Sequence, residues 1–174
     1  IDLFAGIGGF HRALHELGCT CVFASEIDQS ARITYERNYY DTSPKLFENG
    51  MFNDDIRKIS ADEIPDFDIL CAGFPCQPFS QAGYKKGFLD SSNSERGNLF
   101  FNIVDILEAK RPKAFFLENV RGIVNHDGGR TFKIIREILE DELGYSFYFK
   151  VVKATDYGLP QHRPRAFMIG FRDE

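Results

Sequence analysis

The sequence lacks long apolar runs and is poor in cysteine. Its apolar residues occur in short stretches, whereas a membrane-spanning helix needs about 20 apolar residues in succession. Four cysteines among 174 residues, with uneven spacing, are too few for the disulfide framework of a small secreted protein. We therefore expect a soluble protein without a membrane span, in a reducing, cytoplasmic setting.

The first residues lack the features of a leader or of a natural start. The segment from Ile1 to Gly6 has no initiator methionine and no basic segment ahead of an apolar one, so it does not resemble a signal peptide. We expect this chain to begin inside a strand of a longer protein.

Positive charge is scarce in the first part of the chain. The formal net charge is −5; residues 1–100 carry 9 Lys and Arg against 15 Asp and Glu, and residues 101–174 carry 12 against 11. A nucleic-acid partner would then be bound by the second half, by local patches, or by sequence outside this chain. The length and the 43% hydrophobic content predict one globular domain.

Short apolar runs alternate with longer amphipathic stretches. We predict strands at 21–24, 69–72, 114–117, 146–153 and 167–171, and helices at about 9–17, 29–40, 97–111 and 130–143. Unbroken apolar strands separated by helices predict an α/β doubly wound, Rossmann-like fold with a mostly parallel sheet. The last two strands lack an intervening helix, which predicts an antiparallel edge hairpin. The polar stretch from Phe79 to Gly97 is long enough to favour a functional lid.

Glycines cluster directly after the first strand, in the segment from Asp2 to Phe10. Such glycines let backbone N–H groups approach a ligand. Glu26 follows Gly6 by 20 positions, where a carboxylate takes ribose hydroxyls in nucleotide-binding folds. The position of His11 breaks the dinucleotide fingerprint, and no phosphate-binding loop is present. The joint spacing favours a nucleotide-like ligand over a simple tight turn.

Cys76 lies between two prolines after the strand predicted at 69–72, where open α/β sheets bind substrates. It is a candidate nucleophile, and the alternative is a small buried residue, the role expected for Cys19, Cys21 and Cys71. No histidine pairs with a cysteine at the spacing of zinc ligands, so we expect no metal.

Further polar residues follow the later strands. Glu118 and Asn119 follow the strand predicted at 114–117, and Arg163 and Arg165 precede the strand predicted at 167–171. Each alone is typical of a cap or a solvated surface. Together at one sheet edge with Cys76 they would supply a nucleophile, a proton donor or acceptor, and fixed cations.

These residues form a pattern that resembles the DNA (cytosine-5)-methyltransferases, especially the bacterial restriction-modification type, from Asp2 to Arg172. The matching motifs are Asp2–Leu3–Phe4–Ala5–Gly6-x-Gly8–Gly9, Glu26, Asp55–Ile56, Pro75–Cys76–Gln77, Arg96–Gly97–Asn98–Leu99–Phe100, Glu118–Asn119–Val120 and Gln161-x-Arg163-x-Arg165. The motifs occur in the order that the family has.

The resemblance implies the reaction and its residues. Cys76 would add to carbon 6 of a cytosine flipped out of duplex DNA, and carbon 5 would take a methyl group from S-adenosylmethionine, leaving S-adenosylhomocysteine. Glu118 would protonate or hydrogen-bond the ring nitrogen. Arg165 would bind the base carbonyl, and Arg163 a phosphate or the region of the thiol.

The resemblance also assigns the cofactor pocket. Phe4 would stack on adenine, Glu26 would bind the ribose, and Asp55 the adenine amine. The methionine end would lie at Gly6, Ile7 and Gly9, and the remaining lining residues would be Ile27, Ile56, Gly73, Pro75 and Leu99.

In the family, a target-recognition region and two closing motifs follow the segment matched here. The resemblance therefore implies that residues 1–174 are a truncated catalytic domain, which is cut from a longer chain, works with a second chain that carries the target-recognition region, or only binds the cofactor. A tRNA cytosine-5 methyltransferase is the alternative that shares the same motifs.

Overall fold

The computed structural model describes residues 1–76 and 99–172. Seven strands form one sheet in the order β3-β2-β1-β4-β5-β7-β6. They are β1 (Asp2–Leu3), β2 (Ala24–Ser25), β3 (Phe52–Asn53), β4 (Ile69–Gly73), β5 (Ala114–Val120), β6 (Tyr148–Lys153) and β7 (Pro164–Phe171). Neighbours from β3 to β5 pair in parallel, and β7 is antiparallel to both β5 and β6. The predicted doubly wound fold and its antiparallel edge are confirmed.

Residues 1–76 and 99–172 contain five α-helices: α1 (Gly9–His15), α2 (Gln29–Tyr39), α3 (Pro44–Glu48), α4 (Leu99–Lys110) and α5 (Arg130–Glu137). A π-helical turn, Ile138–Glu142, continues α5. Asp28 begins α2 because its Oδ1 accepts a hydrogen bond from the Ala31 N–H at 2.7 Å. Pro44 suits the first turn of α3, where its missing N–H needs no partner.

The core is arranged in rows across the sheet. Leu3, Ala72, Leu117 and Met168 are paired in register from β1 to β7, and all four are fully buried. Residues of α4 and α5 belong to the same apolar cluster. A second, smaller cluster of Ala5, Ala24, Tyr35 and Leu46 lies where α2 and α3 pack. Leu3 belongs to the first cluster and Ala5 to the second, so both clusters anchor the residues that lead into the glycine-rich segment.

Several predicted bounds were wrong. The strand expected at 21–24 is Ala24–Ser25, and the helix expected at 9–17 ends at His15. Helix α3 and strand β3 were not predicted, because elements of two to five residues leave no periodic pattern. The predicted lid and Gln77, Arg96, Gly97 and Asn98 lie outside the described residues. Within the described residues, no helix has the length and apolar character to cross a membrane.

Candidate active site

The parallel strands bring the predicted site residues to one edge of the sheet. Phe4 to Gly9 follow β1, Glu26 follows β2, Asp55 follows β3 and Cys76 follows β4. Glu118 lies near the end of β5. Because β7 is antiparallel, its first residues reach the same edge, and Arg165 pairs in register with Val120. Ligands of open α/β sheets bind at this edge.

The segment after β1 has an unusual backbone. Phe4 has φ 54°, a left-handed conformation that is uncommon for a non-glycine residue. Gly6 and Gly8 also have positive φ, and the Gly6 N–H donates a hydrogen bond to Glu26 Oε2 at 2.7 Å. Glu26 Oε1 accepts a second bond from the Asp28 N–H at 2.8 Å. One carboxylate thus joins the ends of β1 and β2.

The surface around this loop fits a nucleoside. A side chain added at Gly6 or Gly9 would meet nothing within 4 Å, so the space above both backbones is open. Ile7 is 60% exposed and Ile27 65% exposed; Ile7 follows Gly6 and Ile27 follows Glu26 in the sequence, so both segments carry an exposed apolar side chain. An apolar surface with a few fixed polar groups is typical of cofactor sites, so the residues present fit S-adenosylmethionine.

Tyr39 contacts the glycine-rich loop at Gly8, and this contact was not predicted from the sequence. The Tyr39 hydroxyl donates to the Gly8 carbonyl at 2.6 Å, and a Cβ on Gly8 would lie 2.2 Å from the Tyr39 ring. The buried ring of His11 stacks on Tyr39 at 4.1 Å. Burial lowers the pKa of His11 to about 4, so this histidine is neutral and structural.

Asp55 follows β3 and is 7% exposed. Its carboxylate accepts two hydrogen bonds from the Arg57 guanidinium, each 2.8 Å long. These bonds are the main cause that lowers the pKa of Asp55. The neighbouring Ile56 side chain is buried in the core, so only its backbone is available to a ligand. Leu99, at the start of α4, also packs against the core.

Cys76 is exposed, and partial burial raises its thiol pKa. Pro75 beside it is exposed, whereas Phe74 is buried. The Asn119 side chain donates from Nδ2 to the Phe74 carbonyl at 2.8 Å, and its Oδ1 accepts from the Val120 N–H at 2.8 Å. Asn119 therefore ties the segment that carries Cys76 to the end of β5.

The other cysteines differ from Cys76. Cys71 is fully buried, and burial raises its pKa to about 12. Cys19 and Cys21 are half-buried, so the expected burial holds fully only for Cys71. Within residues 1–76 and 99–172, no three His, Cys, Asp or Glu side chains form a group that could hold a metal ion.

Glu118 and Arg165 form an ion pair, with Oε1 2.7 Å from Nε. Burial raises the pKa of Glu118, and the charges of Arg165 and Arg163 oppose that rise. Gly73 pairs in register with Glu118, and a Cβ there would lie 3.4 Å from Glu118 Oε2 and 3.9 Å from the Phe4 carbonyl oxygen. Gly73 thus lies between the Glu118 carboxyl group and the Phe4 backbone in the glycine-rich segment. Arg163 is exposed.

A family model described as C-5 cytosine-specific DNA methylase matches residues 1–174. The chain belongs to this family. It is 52% identical over 173 residues to Type II methyltransferase M.NgoBI of Neisseria gonorrhoeae, covering 99% of this chain and 50% of that protein. It is 50% identical over 174 residues to Type II methyltransferase M.DsaV of Dactylococcopsis salina, covering 100% of this chain and 46% of that protein.

The chain spans about half the length of these two curated relatives. Solved structures share its fold. DNMT2 of Spodoptera frugiperda superposes with a TM-score of 0.74 at 24% identity, covering 99% of this chain and 49% of that one. The Dnmt2 methyltransferase of S. pombe gives 0.71 at 24% identity, covering 99% and 50%. The family membership expected from the sequence is confirmed.

Proposed function

We propose that this chain is the catalytic part of a DNA (cytosine-5)-methyltransferase that uses S-adenosylmethionine. One observation carries the proposal: Cys76 and the Glu118–Arg165 pair lie at the same sheet edge. The open glycine-rich loop and Glu26 lie at that edge too. A nucleophile, a proton donor and a cofactor surface at one edge are the groups that this methyl transfer needs.

The cofactor surface is formed by the first three strand ends. Glu26 would accept hydrogen bonds from the ribose hydroxyls and Asp55 from the adenine amine, while Phe4 and Ile27 would contact the adenine ring. Gly6, Ile7 and Gly9 would face the methionine end, with Ile56, Gly73, Pro75 and Leu99 around them. When bound, S-adenosylmethionine supplies an electrophilic methyl group on a positively charged sulfur.

Cys76 would act on the cytosine. Its thiolate adds to carbon 6, and carbon 5 then becomes nucleophilic enough to take the methyl group. Loss of the carbon 5 proton to water and elimination of the Cys76 thiolate restore the aromatic ring. Partial burial raises the pKa of Cys76, and only the thiolate is nucleophilic, so the thiol must give up its proton to water before it attacks.

Glu118 would supply the proton that this addition needs. Its raised pKa increases the fraction that carries a proton at neutral pH, and a carboxylic acid donates to the ring nitrogen as charge develops there. Arg165 uses Nε for Glu118 and Nη1 for the Pro164 carbonyl. Its remaining Nη2 would donate to the carbonyl oxygen of the base.

The substrate would be duplex DNA with the target base flipped out of the stack, because attack on carbon 6 comes from the face that stacking covers. Arg163, exposed beside Arg165, would contact a phosphate. We infer that sequence-specific DNA contacts come from a region outside these 174 residues, on the same chain or on a second one, and that the protein works in the bacterial cytoplasm.

The test is transfer of a labelled methyl group from S-adenosylmethionine by the protein expressed from the full reading frame that contains this sequence. We expect label at carbon 5 of cytosine in bacterial genomic DNA from cells without modification, and none in a tRNA pool. Label in tRNA alone would replace the proposal by the RNA-directed alternative. Binding of S-adenosylmethionine without methyl transfer to DNA or tRNA would show that the protein is only a cofactor-binding module.

A further inference from the structure

The carboxylate of Asp55 lies next to the end of β2 that carries Glu26. The Glu26 N–H donates to the carbonyl of Asn53 in β3 at 3.1 Å. The strand order β3-β2-β1 therefore puts Asp55 on the far side of Glu26 from the glycine-rich loop. The proposed cofactor has its methionine end at the glycine-rich loop, so a ribose at Glu26 would place its base on the side of Asp55.

The hydrogen bonds of Asp55 leave one acceptor position. Oδ1 accepts from both the backbone N–H of Arg57, at 3.1 Å, and its Nε, at 2.8 Å. Among residues 1–76 and 99–172, Oδ2 accepts only from Nη2, at 2.8 Å. A carboxylate oxygen accepts two hydrogen bonds in its plane, so Oδ1 is saturated and Oδ2 has one acceptor site left.

Arg57 contributes little to stability through this pair. Its side chain is 50% exposed, and ion pairs with an exposed partner contribute little to folding. The bidentate contact fixes the plane of the Asp55 carboxylate. A guanidinium that binds both oxygens at once prevents the carboxylate from rotating.

We propose that Arg57 is a positioning residue that fixes the Asp55 carboxylate so that Oδ2 selects a 6-aminopurine over a 6-oxopurine. This inference rests on the proposed cofactor. The exocyclic amine of adenine donates to the remaining acceptor site of Oδ2. A 6-oxopurine presents a carbonyl oxygen there, and two acceptors facing each other leave both unpaired and repel.

Calorimetric titration with S-adenosylhomocysteine and its deaminated analogue S-inosylhomocysteine tests the inference on the protein expressed from its full reading frame. We expect the wild type to prefer the amino compound about tenfold or more, as a lost buried hydrogen bond predicts. Arg57→Ala should weaken binding of S-adenosylhomocysteine about tenfold and change binding of the analogue less than about twofold. Arg57→Lys keeps the positive charge but loses the planar pair of N–H donors, so it should behave like Arg57→Ala.

Lys58→Ala is the matched control, because it removes the neighbouring cation and its 3.5 Å pair with Asp54. We expect it to leave both affinities unchanged. A wild type that binds both compounds equally, or an Arg57→Ala variant that weakens both equally, would overturn the inference while the cofactor proposal stands. Failure of the folded wild type to bind either compound would remove the cofactor proposal and this inference with it.

Discussion

Glu118 and Arg165 are diagonal neighbours on one face of the β5–β7 ladder, with Oε1 2.7 Å from Nε. Glu118 pairs in register with Phe167, and Arg165 with Val120, so the two side chains project from positions two residues apart on the antiparallel strands. The arginine holds the orientation of an acid whose pKa burial raises. The same geometry leaves guanidinium donors beside the carboxyl group, where a base would present its ring nitrogen and its carbonyl together.

Replacing Glu26 tests the cofactor surface. Glu26→Ala removes the acceptor for the Gly6 N–H as well as the proposed ribose contact. We expect the affinity for S-adenosylmethionine to fall by roughly 1.5–3 kcal/mol, the range for a hydrogen bond to a charged group, as measured by calorimetry. Glu36→Ala, at an exposed position of α2, should leave the affinity unchanged. An unchanged dissociation constant for Glu26→Ala would remove the ribose assignment.

Replacing Gly8 tests the support behind the loop. Gly8→Ala introduces a Cβ 2.2 Å from a Tyr39 ring that is itself stacked against His11, in addition to the cost of a positive φ. Gly144→Ala is the control, since its φ is +69° and nothing lies within 4 Å. Urea unfolding should show that Gly8→Ala costs more than the control, which pays about 1 kcal/mol for the backbone alone. Equal losses would mean that Tyr39 moves aside freely.

Asn119 tests whether the Cys76 segment is held by β5. Asn119→Ala leaves the Phe74 carbonyl without its 2.8 Å donor, and an unpaired buried acceptor costs about 1–3 kcal/mol of stability. We expect slower covalent trapping on duplex DNA that contains 5-fluorocytosine, with an unchanged affinity for S-adenosylmethionine. Asn125→Ala, at an exposed position, should change neither quantity. Trapping at the wild-type rate would show that Asn119 does not position Cys76.

Asp2 predicts a dependence of stability on pH. Both of its carboxylate oxygens are buried and have no hydrogen bond of ordinary geometry within the part of the chain that the structure describes, and burial raises its pKa from 3.8 to about 7. The folded state therefore binds the proton more tightly, so the stability that protonated Asp2 contributes is present below pH 3.8 and is lost as the pH rises through 7.

Asp2→Asn should accordingly gain stability relative to the wild type between pH 4 and pH 8. We expect the difference in unfolding free energy to change by about 2–4 kcal/mol over that range, as measured by urea unfolding. Asp66→Asn is the control because that side chain is fully exposed. A difference that stays constant with pH would contradict the raised pKa.

The sequence predicted the elements that carry long patterns. The apolar runs of β4 and β5 and the spacing of Gly6 to Glu26 are signals that can be read from the sequence, and in the structure the residues that follow them lie at one sheet edge. The contacts of Tyr39 with Gly8, of Asn119 with Phe74 and of Arg57 with Asp55 were not predicted. The first two join residues that only folding brings together, and the third depends on a side-chain conformation that residue spacing does not specify.

The central claim is that Cys76 attacks the base, and Cys76→Ser tests it most directly. A hydroxyl is a far weaker nucleophile than a thiolate, so labelled methyl transfer to DNA by the protein from the full reading frame should be abolished while S-adenosylmethionine still binds with nearly wild-type affinity. Cys71→Ser is a poor control because it would bury a hydroxyl in the core, whereas Cys19→Ser, at a half-buried position, should retain activity. Methyl transfer at a near-normal rate by Cys76→Ser would contradict the account.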